Sequence, residues 1–254
     1  GGAGAMADHP TEDWPQGYAR ILLPEIDSTN AEALRRLPGL SGPAWIMALR
    51  QTAGRGRRGR GWNEPPGNFA ATLALHLDEP PARLALRSFV AALALHDALV
   101  ALTGLTQGFA LKWPNDVLLN DGKLSGILLE SGPEGGLVIG IGVNLRAAPP
   151  ADPEALFPPV SLRGETGLTV SPEALLDHLA PAYARWEARF RTWGFGPVRT
   201  AFLERVARLG APISARTMSE TIDGRFASID DSGALVLDTP AGRRIIPAAD
   251  IFFP

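Results

Sequence analysis

Residues 54–61 consist only of glycine and arginine, and of all segments of the chain they point most clearly to a chemical role. Guanidinium groups packed so closely repel one another, and a core could not hold them unpaired. Arginine presents a planar fork that suits carboxylates and phosphates, and glycine lets the backbone approach a ligand closely. The composition favours a flexible loop that closes over an anionic ligand, with a solvated basic loop as the alternative. The arginines are Arg55, Arg57, Arg58 and Arg60.

The glycines of this segment also match the G-x-G-x-x-G pattern of dinucleotide sites, at Gly54, Gly56 and Gly59. Such a site needs a helix directly after the glycines, because the helix N-terminus must face the pyrophosphate. Residues 63–67 read Asn-Glu-Pro-Pro-Gly and cannot form that helix. We therefore reject a Rossmann dinucleotide site.

Further charged residues lie in the motif KWPND (residues 112–116), which contains Lys112 and Asp116. Another, Lys123, lies just after the next predicted turn. Pro-Asn-Asp is ordinary turn chemistry, so the local pattern alone favours a surface turn. An Asp-Gly turn at residues 121–122 would pair Lys123 with Asn120, and would place Lys123 on the same face as Asp116. At ~3.3 Å per residue the two side chains would stand ~13 Å apart, which is too far for a salt bridge. This spacing suits two groups that act at different parts of one extended ligand.

Hydroxyl and amide side chains cluster at residues 28–30. Thr29 with Glu32 fits a capping box, which predicts a helix over residues 30–37 that stops before Pro38. The same groups can also recognise the edge of a polar ring, and spacing alone does not decide between these roles. The histidines are scattered without metal or triad spacing, and the chain has no Walker P-loop and no G-x-S-x-G elbow.

The elements that must position these groups form two units. Apolar runs of strand length occur at residues 20–23, 45–49, 69–77 and 137–145. Helices are predicted over residues 83–102 and from 172 to about 191. From residue 209, short β-like runs follow one another, which is the pattern of a small barrel; turns are predicted at residues 223–224, 232–233 and 241–242. We expect a tag remnant and lead-in (1–17), a main α/β domain (18–208) and a C-terminal barrel (209–254).

The composition is that of a soluble globular protein, with 45% apolar and 20% charged residues. A formal net charge of −3 argues against a general polyanion binder. The absence of cysteine excludes disulfides, cysteine nucleophiles and cysteine-ligated zinc. The first residues do not resemble a signal peptide, and no apolar run approaches the ~18 residues of a spanning helix. We expect a non-exported, cytoplasmic protein.

Five motifs follow one another between residues 27 and 145, in the order DSTN, GRGRRGRGW, KWPND, GKLSGILLE and IGIGVNL. In this order and spacing they resemble the catalytic domain of the biotin protein ligases, in a form that lacks the N-terminal DNA-binding domain. The C-terminal segment TIDGRFASIDDSGALVLDTPAGRRIIP looks like the small barrel of the same family. The resemblance implies an α/β (α+β) fold, in which a mixed-sheet, class II synthetase-like catalytic domain precedes a C-terminal SH3-like β-barrel.

The resemblance implies two half-reactions. Biotin is activated by Mg²⁺-bound ATP to biotinyl-5′-AMP, and is then transferred to a lysine of a biotin carboxyl carrier protein or carboxylase carrier domain. The family's motifs assign catalysis to Lys123, Asp116 and Arg57. They assign biotin binding to Ser28, Thr29, Asn30, Gln51, Gly54, Arg55, Arg57, Lys123, Gly126 and Gly140. They assign nucleotide binding to Arg55, Arg57, Trp62, Lys112, Asn115 and Asn144, and they imply no metal held by the protein itself.

Two alternatives remain open. A related fold carries lipoate and octanoate ligases and transferases; octanoyltransferases usually use a cysteine nucleophile, and the motif GRGRRGR favours biotin. A non-enzymatic nucleic-acid binder is disfavoured by the net charge of −3 and by the lack of a recognition helix. Only about 20 residues precede the catalytic domain, so we expect no DNA-binding function. We expect a monomer or homodimer without nucleic-acid or membrane partners.

Overall fold

The computed structural model describes residues 13–56, 65–150 and 157–254, and its centre is a seven-stranded mixed sheet. The strands lie in the order β1-β2-β3-β7-β6-β5-β4. Only the edge pair β1 and β2 is parallel among these described strands, and the other neighbours are antiparallel. This arrangement confirms the expected mixed sheet. The strands are β1 (Ala19–Leu23), β2 (Ala44–Ala48), β3 (Phe69–His76), β4 (Phe109–Lys112), β5 (Asp116–Leu119), β6 (Gly122–Ser131) and β7 (Gly136–Val143).

Helices cover the two faces of this sheet unequally. The helix α1 packs on one face, where Ala33 and Leu37 meet Ala74 and Val138. The larger core, which includes Leu73 and the long helices, lies on the opposite face. We call these the α1 face and the α3 face. The helices are α1 (Thr29–Arg36), α2 (Pro81–Ala85), α3 (Arg87–Thr103), α4 (Leu162–Thr166), α5 (Pro172–Trp193) and α6 (Phe195–Arg205), and a 3-10 turn (Leu37–Gly39) follows α1.

The helical stretch Pro81–Thr103 is long and apolar enough to cross a membrane by length and composition alone, although the sequence pattern gave no such expectation. In the fold, 67% of its most apolar window is buried inside the protein. Its Arg87 is fully buried, and the guanidinium group donates hydrogen bonds to the carboxylates of Glu79 and Glu187. The stretch is therefore the core helix of the main domain.

A second, five-stranded antiparallel sheet follows, in the order β11-β10-β9-β8-β12. The predicted turn at residues 223–224 is wrong, because β9 continues through it. The chain turns instead at residues 217–220, where the N–H and hydroxyl of Thr217 donate to the Glu220 carbonyl and the hydroxyl accepts from the Glu220 N–H. This sheet docks on the first, since Trp113 Nε1 donates to the Gly233 carbonyl over 3.0 Å. The strands are β8 (Pro212–Arg216), β9 (Thr221–Ile229), β10 (Leu235–Thr239), β11 (Gly242–Ile246) and β12 (Asp250–Phe252).

Candidate active site

The start of α1 places three polar side chains at the α1 face of the sheet. Ser28, not Thr29, caps the helix: its backbone is extended and its hydroxyl accepts from Ala31 N over 2.9 Å. The expected capping box is therefore wrong, and Glu32 instead binds the arginines of the last helical turn. Thr29 is left to point its backbone N–H and its hydroxyl at Gln51 Oε1, over 2.8 and 3.2 Å.

A buried network extends this cluster across the sheet. The Thr72 hydroxyl lies 2.7 Å from Thr29 Oγ1 and 2.6 Å from Asn30 Oδ1, and its single proton serves one of them at a time. The Asn30 amide nitrogen donates to the Leu128 carbonyl and, over 3.0 Å, to Glu130 Oε1. Helix α1 and strands β3 and β6 are thus joined by hydrogen bonds.

Glycines form the floor beside this network. Gly140 pairs with Thr72 on β3 and with Leu128 on β6, and Gly126 pairs with Gly142. A Cβ at Gly140 would lie 2.2 Å from Asn30 Oδ1, so only glycine lets the asparagine amide approach the sheet this closely. Gly126 shares the face of Gly140, because successive even-numbered residues of β6 point to the same side. The floor is a trough in which a ligand can lie against the backbone.

Arg55 lies beside this trough and forms an ion pair with Glu130. Its Nε and Nη2 donate to the two carboxylate oxygens of Glu130, over 3.1 and 3.0 Å. The pair is partly exposed, with 40% and 28% of the two side chains accessible. At least one arginine of the glycine–arginine segment therefore has an acidic partner within the protein itself, which the sequence analysis did not foresee.

Asp116 is the centre of a second charged cluster and is only 1% exposed. Lys112 Nζ lies 3.1 Å from Asp116 Oδ2, and Lys123 Nζ lies 3.8 Å from Asp116 Oδ1. Lys112 also sits over the Phe157 ring, at 4.4 Å from its centroid. The chain contains 22 arginines and only two lysines, and both lysines meet this one carboxylate. The predicted separation of Asp116 and Lys123 is therefore wrong, and they interact directly.

The hairpin register explains the difference. The turn is Asn120-Asp121, both with positive φ, so Lys123 pairs with Leu118 rather than with Asn120. Lys123 is thereby two residues, not four, from Asp116 along the sheet. The Asp-Gly pattern was misleading because Gly122 is needed in the strand, where a Cβ would lie 2.2 Å from a methyl group of Val160.

A bulge next to this hairpin sets which side chains share the trough. Lys123 pairs with Leu118 and Ser125 pairs with Val117, so Leu124 is the extra residue. Leu124 turns into the core of the α3 face. Without the bulge Lys123 and Gly126 would point to opposite faces; with it, both lie on the α1 face.

Two asparagines near Asp116 present acceptors that no described residue satisfies. Asn115 donates to Ser88 Oγ and to the Ile127 carbonyl, and Asn144 donates to the Val160 carbonyl. The Oδ1 atoms of both asparagines are buried without a hydrogen-bond partner among the described residues. A buried acceptor in this state is costly unless a ligand or water serves it.

The expected surface turn at KWPND is also wrong, because Lys112, Asn115 and Asp116 are 7%, 4% and 1% exposed. Burial of two opposite charges is tolerated only because they pair with each other. Trp113 is held by the C-terminal sheet, as described above, and the Trp113-Pro114 peptide is cis. The motif is therefore an internal corner between the two sheets.

A cleft of about 460 Å³ lies next to this corner, on the α3 face of β6. Its wall includes Ser88, Asn115 and Ile127. It reaches Asn115 but neither Lys123 nor the glycine trough, so it is not the space that the family motifs assign to biotin.

Comparison with known proteins shows the family. Residues 22–145 match the biotin/lipoate A/B protein ligase family, and residues 209–253 match the biotin protein ligase C terminal domain. A biotin–[acetyl-CoA-carboxylase] ligase of Paracoccus denitrificans is 57% identical, over 91% of this chain and 99% of that protein. A ligase of the same name from Mycobacterium tuberculosis is 30% identical, over 91% and 87% of the two chains. The chain belongs to the biotin protein ligase family.

A solved structure supports the same assignment. The biotin protein ligase from Aquifex aeolicus in complex with biotin and ATP matches with a TM-score of 0.82 and 26% identity. The match covers 93% of this chain and 99% of that chain, so it includes both sheets.

Within this family fold, the structure brings most of the predicted site residues into two contiguous groups. Around the trough it joins Thr29, Asn30, Gln51, Arg55 and Gly140 through the contacts above. Around the buried carboxylate it joins Lys112 and Lys123. Ser28 contributes as the helix cap, and Gly54 is not joined to either group by a described contact. Arg57 and Trp62 lie outside the described residues. The individual roles of all these residues stay predictions.

Sequence reasoning missed three residues of the site. Thr72 could have been found, because it is the single polar residue among the buried positions of β3, and such a side chain needs partners. Glu130 ends the motif GKLSGILLE but had no assigned role. Phe157, which contacts Lys112 and packs edge-on against Phe253 at 4.8 Å, has no local signal, because its partners are distant in sequence.

Proposed function

We propose that this chain joins biotin to a lysine of a biotin carboxyl carrier protein through biotinyl-5′-AMP. The observation that carries the proposal is the buried Asp116 with both lysines of the chain beside it, next to a trough floored by Gly126 and Gly140. The names of the relatives give the substrates: the ligases above act on acetyl-CoA carboxylase, and the Aquifex enzyme binds biotin and ATP. The same relatives disfavour a lipoate or octanoate ligase.

In the first half-reaction a biotin carboxylate oxygen attacks the α-phosphorus of ATP, the bond to pyrophosphate breaks, and a mixed anhydride forms. Two anions meet, so fixed cations at the reacting atoms lower the barrier. Lys123 is suited to this role because a third of its side chain is exposed and its contact to Asp116 is loose. Arg55, and Arg57 by family resemblance, supply further positive charge at the trough.

In the second half-reaction the carrier amine attacks the activated carbonyl carbon, the bond to AMP breaks, and the amine loses its proton. A lysine with a pKa of ~10.4 arrives mostly as ammonium at neutral pH, so a carboxylate that orients it and accepts its proton assists the attack. Lys112 holds Asp116 Oδ2 at 3.1 Å, whereas Lys123 lies 3.8 Å from Oδ1. We infer that the incoming amine takes the place of Lys123 at Oδ1.

The unsatisfied acceptors of Asn115 and Asn144 suit donors on the nucleotide, such as the amino group of adenine. No cluster of three or more acidic or histidine side chains that could hold a metal occurs among the described residues. Any Mg²⁺ would therefore enter with the phosphates of ATP, which it would partly neutralise.

Several finer assignments belong to the same proposal. We place the boundary between the catalytic and C-terminal domains at residues 208 and 209. We assign the enzyme to the cytoplasm because it consumes ATP, and we assign it a monomeric or homodimeric state. A net charge of −3 supports the absence of nucleic-acid partners.

Calorimetry and product analysis test the function together. The protein is titrated with biotin and with lipoate, and is then incubated with biotin, Mg²⁺-ATP and an apo carrier domain. We expect binding of biotin alone, biotin-dependent pyrophosphate release, and a carrier heavier by one biotinyl group. Lipoate binding with lipoyl transfer would replace this function by the alternative.

A further inference from the structure

Glu130 lies beside the glycine trough, and the family motifs assign it no role. It lies at the end of β6, opposite Val138, on the α1 face with Leu128 and Gly126. Its carboxylate receives three donors from two directions: Nε and Nη2 of Arg55, and the amide nitrogen of Asn30. Glu130 is therefore the residue through which Arg55 of the arginine segment is linked to Asn30 of α1.

The geometry of the Arg55 pair decides what it does. A guanidinium group has two forks: a side-on fork formed by Nε and one Nη, and an end-on fork formed by the two Nη atoms. Glu130 occupies the side-on fork, since its oxygens accept from Nε and Nη2. Among the described contacts nothing binds Nη1. The end-on fork is therefore presented ready to accept two oxygens of a carboxylate or phosphate.

The carboxylate itself is held in place by Asn30. That asparagine is 5% exposed, and its Oδ1 accepts from Thr72 while its amide nitrogen binds Glu130 Oε1. An arginine side chain loses rotamer entropy when it binds a ligand. A partner that already fixes the guanidinium plane reduces the ordering cost that the ligand must meet.

From these contacts we infer that Glu130 is a positioning residue, which orients Arg55 so that its end-on fork receives the anionic group of biotin or of its adenylate. The inference rests on the proposed function, because it names the ligand of that site. It differs from a competing role, in which Glu130 would occupy Arg55 as a substitute anion and biotin would have to displace it.

The test is a double-mutant cycle on the full-length protein, with Glu130→Ala, Glu130→Gln, Arg55→Ala and the Glu130→Ala/Arg55→Ala double variant. Biotin affinity is measured by calorimetry, and KM for biotin and kcat by pyrophosphate release. We expect Glu130→Ala to weaken biotin binding about 3- to 10-fold, the cost of ordering one flexible side chain. We expect the change mainly in KM, and no further loss when Arg55 is already alanine.

Glu130→Gln keeps one acceptor oxygen and removes the charge. That oxygen can still accept from Asn30 and from Nε of Arg55, but the amide nitrogen cannot accept from Nη2. The side-on pair loses one hydrogen bond and its charge, so we expect a weakening of biotin binding in the same direction as with alanine but smaller. Asp238→Asn is the matched control, because it breaks an exposed side-on pair with Arg243 in the C-terminal sheet. That variant should bind biotin as the wild type does, and thermal unfolding confirms that each variant is folded.

Several results would overturn the inference. Tighter biotin binding by Glu130→Ala would support the competing role, and wild-type affinity in Glu130→Gln would show that the charge is not needed. Independent, additive losses in the double variant would show that Glu130 does not act through Arg55. The failure of wild-type protein to bind biotin would instead refute the proposed function, so the two failures are distinguishable.

Discussion

Lys123→Ala removes the cation that we propose to act at the reacting atoms, and the structure predicts that the variant folds. Lys123 is one-third exposed and its Nζ is 3.8 Å from Asp116, so the net contribution of this pair to stability is at most ~1 kcal/mol. Asp116 keeps Lys112 at 3.1 Å, so no buried charge loses its partner. A domain stability of roughly 5–15 kcal/mol tolerates this loss.

The catalytic loss should be much larger than the loss of stability. One donor aimed at developing negative charge is worth ~3–4 kcal/mol in the transition state. At ~1.4 kcal/mol for each factor of ten, adenylation should slow roughly 100- to 1000-fold. Biotin affinity should fall less, because the carboxylate charge of free biotin is also met by Arg55.

Biotin-dependent pyrophosphate release measures this rate, and urea unfolding measures stability in the same preparation. Lys123→Arg is the matched control, since it keeps the positive charge but enlarges and flattens the group. We expect it to recover part of the rate. Near-normal pyrophosphate release by a folded Lys123→Ala variant would refute the role of Lys123 and the charge argument behind it.

Three further predictions follow from the charged groups. Asp116→Asn should slow transfer to the carrier lysine more than adenylation, and a pH increase from 7 should partly restore transfer by freeing the amine; transfer that stays flat with pH would argue against the base role. Burial alone would raise the pKa of Glu187, but hydrogen bonds and charge from Arg87 outweigh burial and lower this pKa. The ionised Glu187 therefore stabilises the fold fully at a pH above the usual carboxyl pKa of ~4.5, and this stabilisation is lost as the pH falls below that value. Glu187→Gln should therefore lose ~3 kcal/mol at pH 7 in urea unfolding and much less at pH 3, and an equal loss at both would contradict the ion pair. Added biotinyl-5′-AMP should label the lysines of the wild-type chain poorly, because Lys112 is buried and only a third of the Lys123 side chain is exposed; Arg243→Lys places a lysine where the side chain is 63% exposed, and should gain one biotinyl group over the wild type in intact-mass measurement.

The central strands β2 and β3 were predictable because they are buried on both faces of the sheet. The predicted run 45–49 is shifted by one residue from β2, and the run 69–77 is one residue longer than β3, since continuous apolar residues bounded by polar ones leave little choice. Helix α5 begins at Pro172 as predicted, because Ser171 caps it and proline fits its first turn. Local chemistry determines these elements.

The register of the β5–β6 hairpin and the burial of the site corner were not predictable, because long-range packing selects among locally equal choices. Asn120-Asp121 and Asp121-Gly122 can each form a two-residue turn, and the contact of Gly122 with Val160 selects the first. The turn starts one residue earlier than predicted. Because of this shift Lys123 lies 3.8 Å from Asp116, whereas the predicted register, at ~3.3 Å per residue, separated them by ~13 Å. The distance between two site residues on a hairpin therefore depends on the strand register, which the sequence motif alone does not determine.

The proposed roles of the two lysines in the half-reactions would explain why lysine, and not arginine, lies at Asp116. A guanidinium group would hold the carboxylate through two parallel hydrogen bonds and would be slow to release it, whereas an ammonium group is a compact point charge with rotatable donors. The chain uses arginine at 22 positions, including the fixed pairs of Arg87 and Arg55, yet both cations at Asp116 are lysine. A site that must first turn a cation toward an acyl phosphate and then admit a substrate amine needs a partner that can be exchanged. Lys123, at 3.8 Å, can move away from Asp116 while Lys112, at 3.1 Å, stays, so the Asp116 carboxylate keeps a positive partner through both half-reactions.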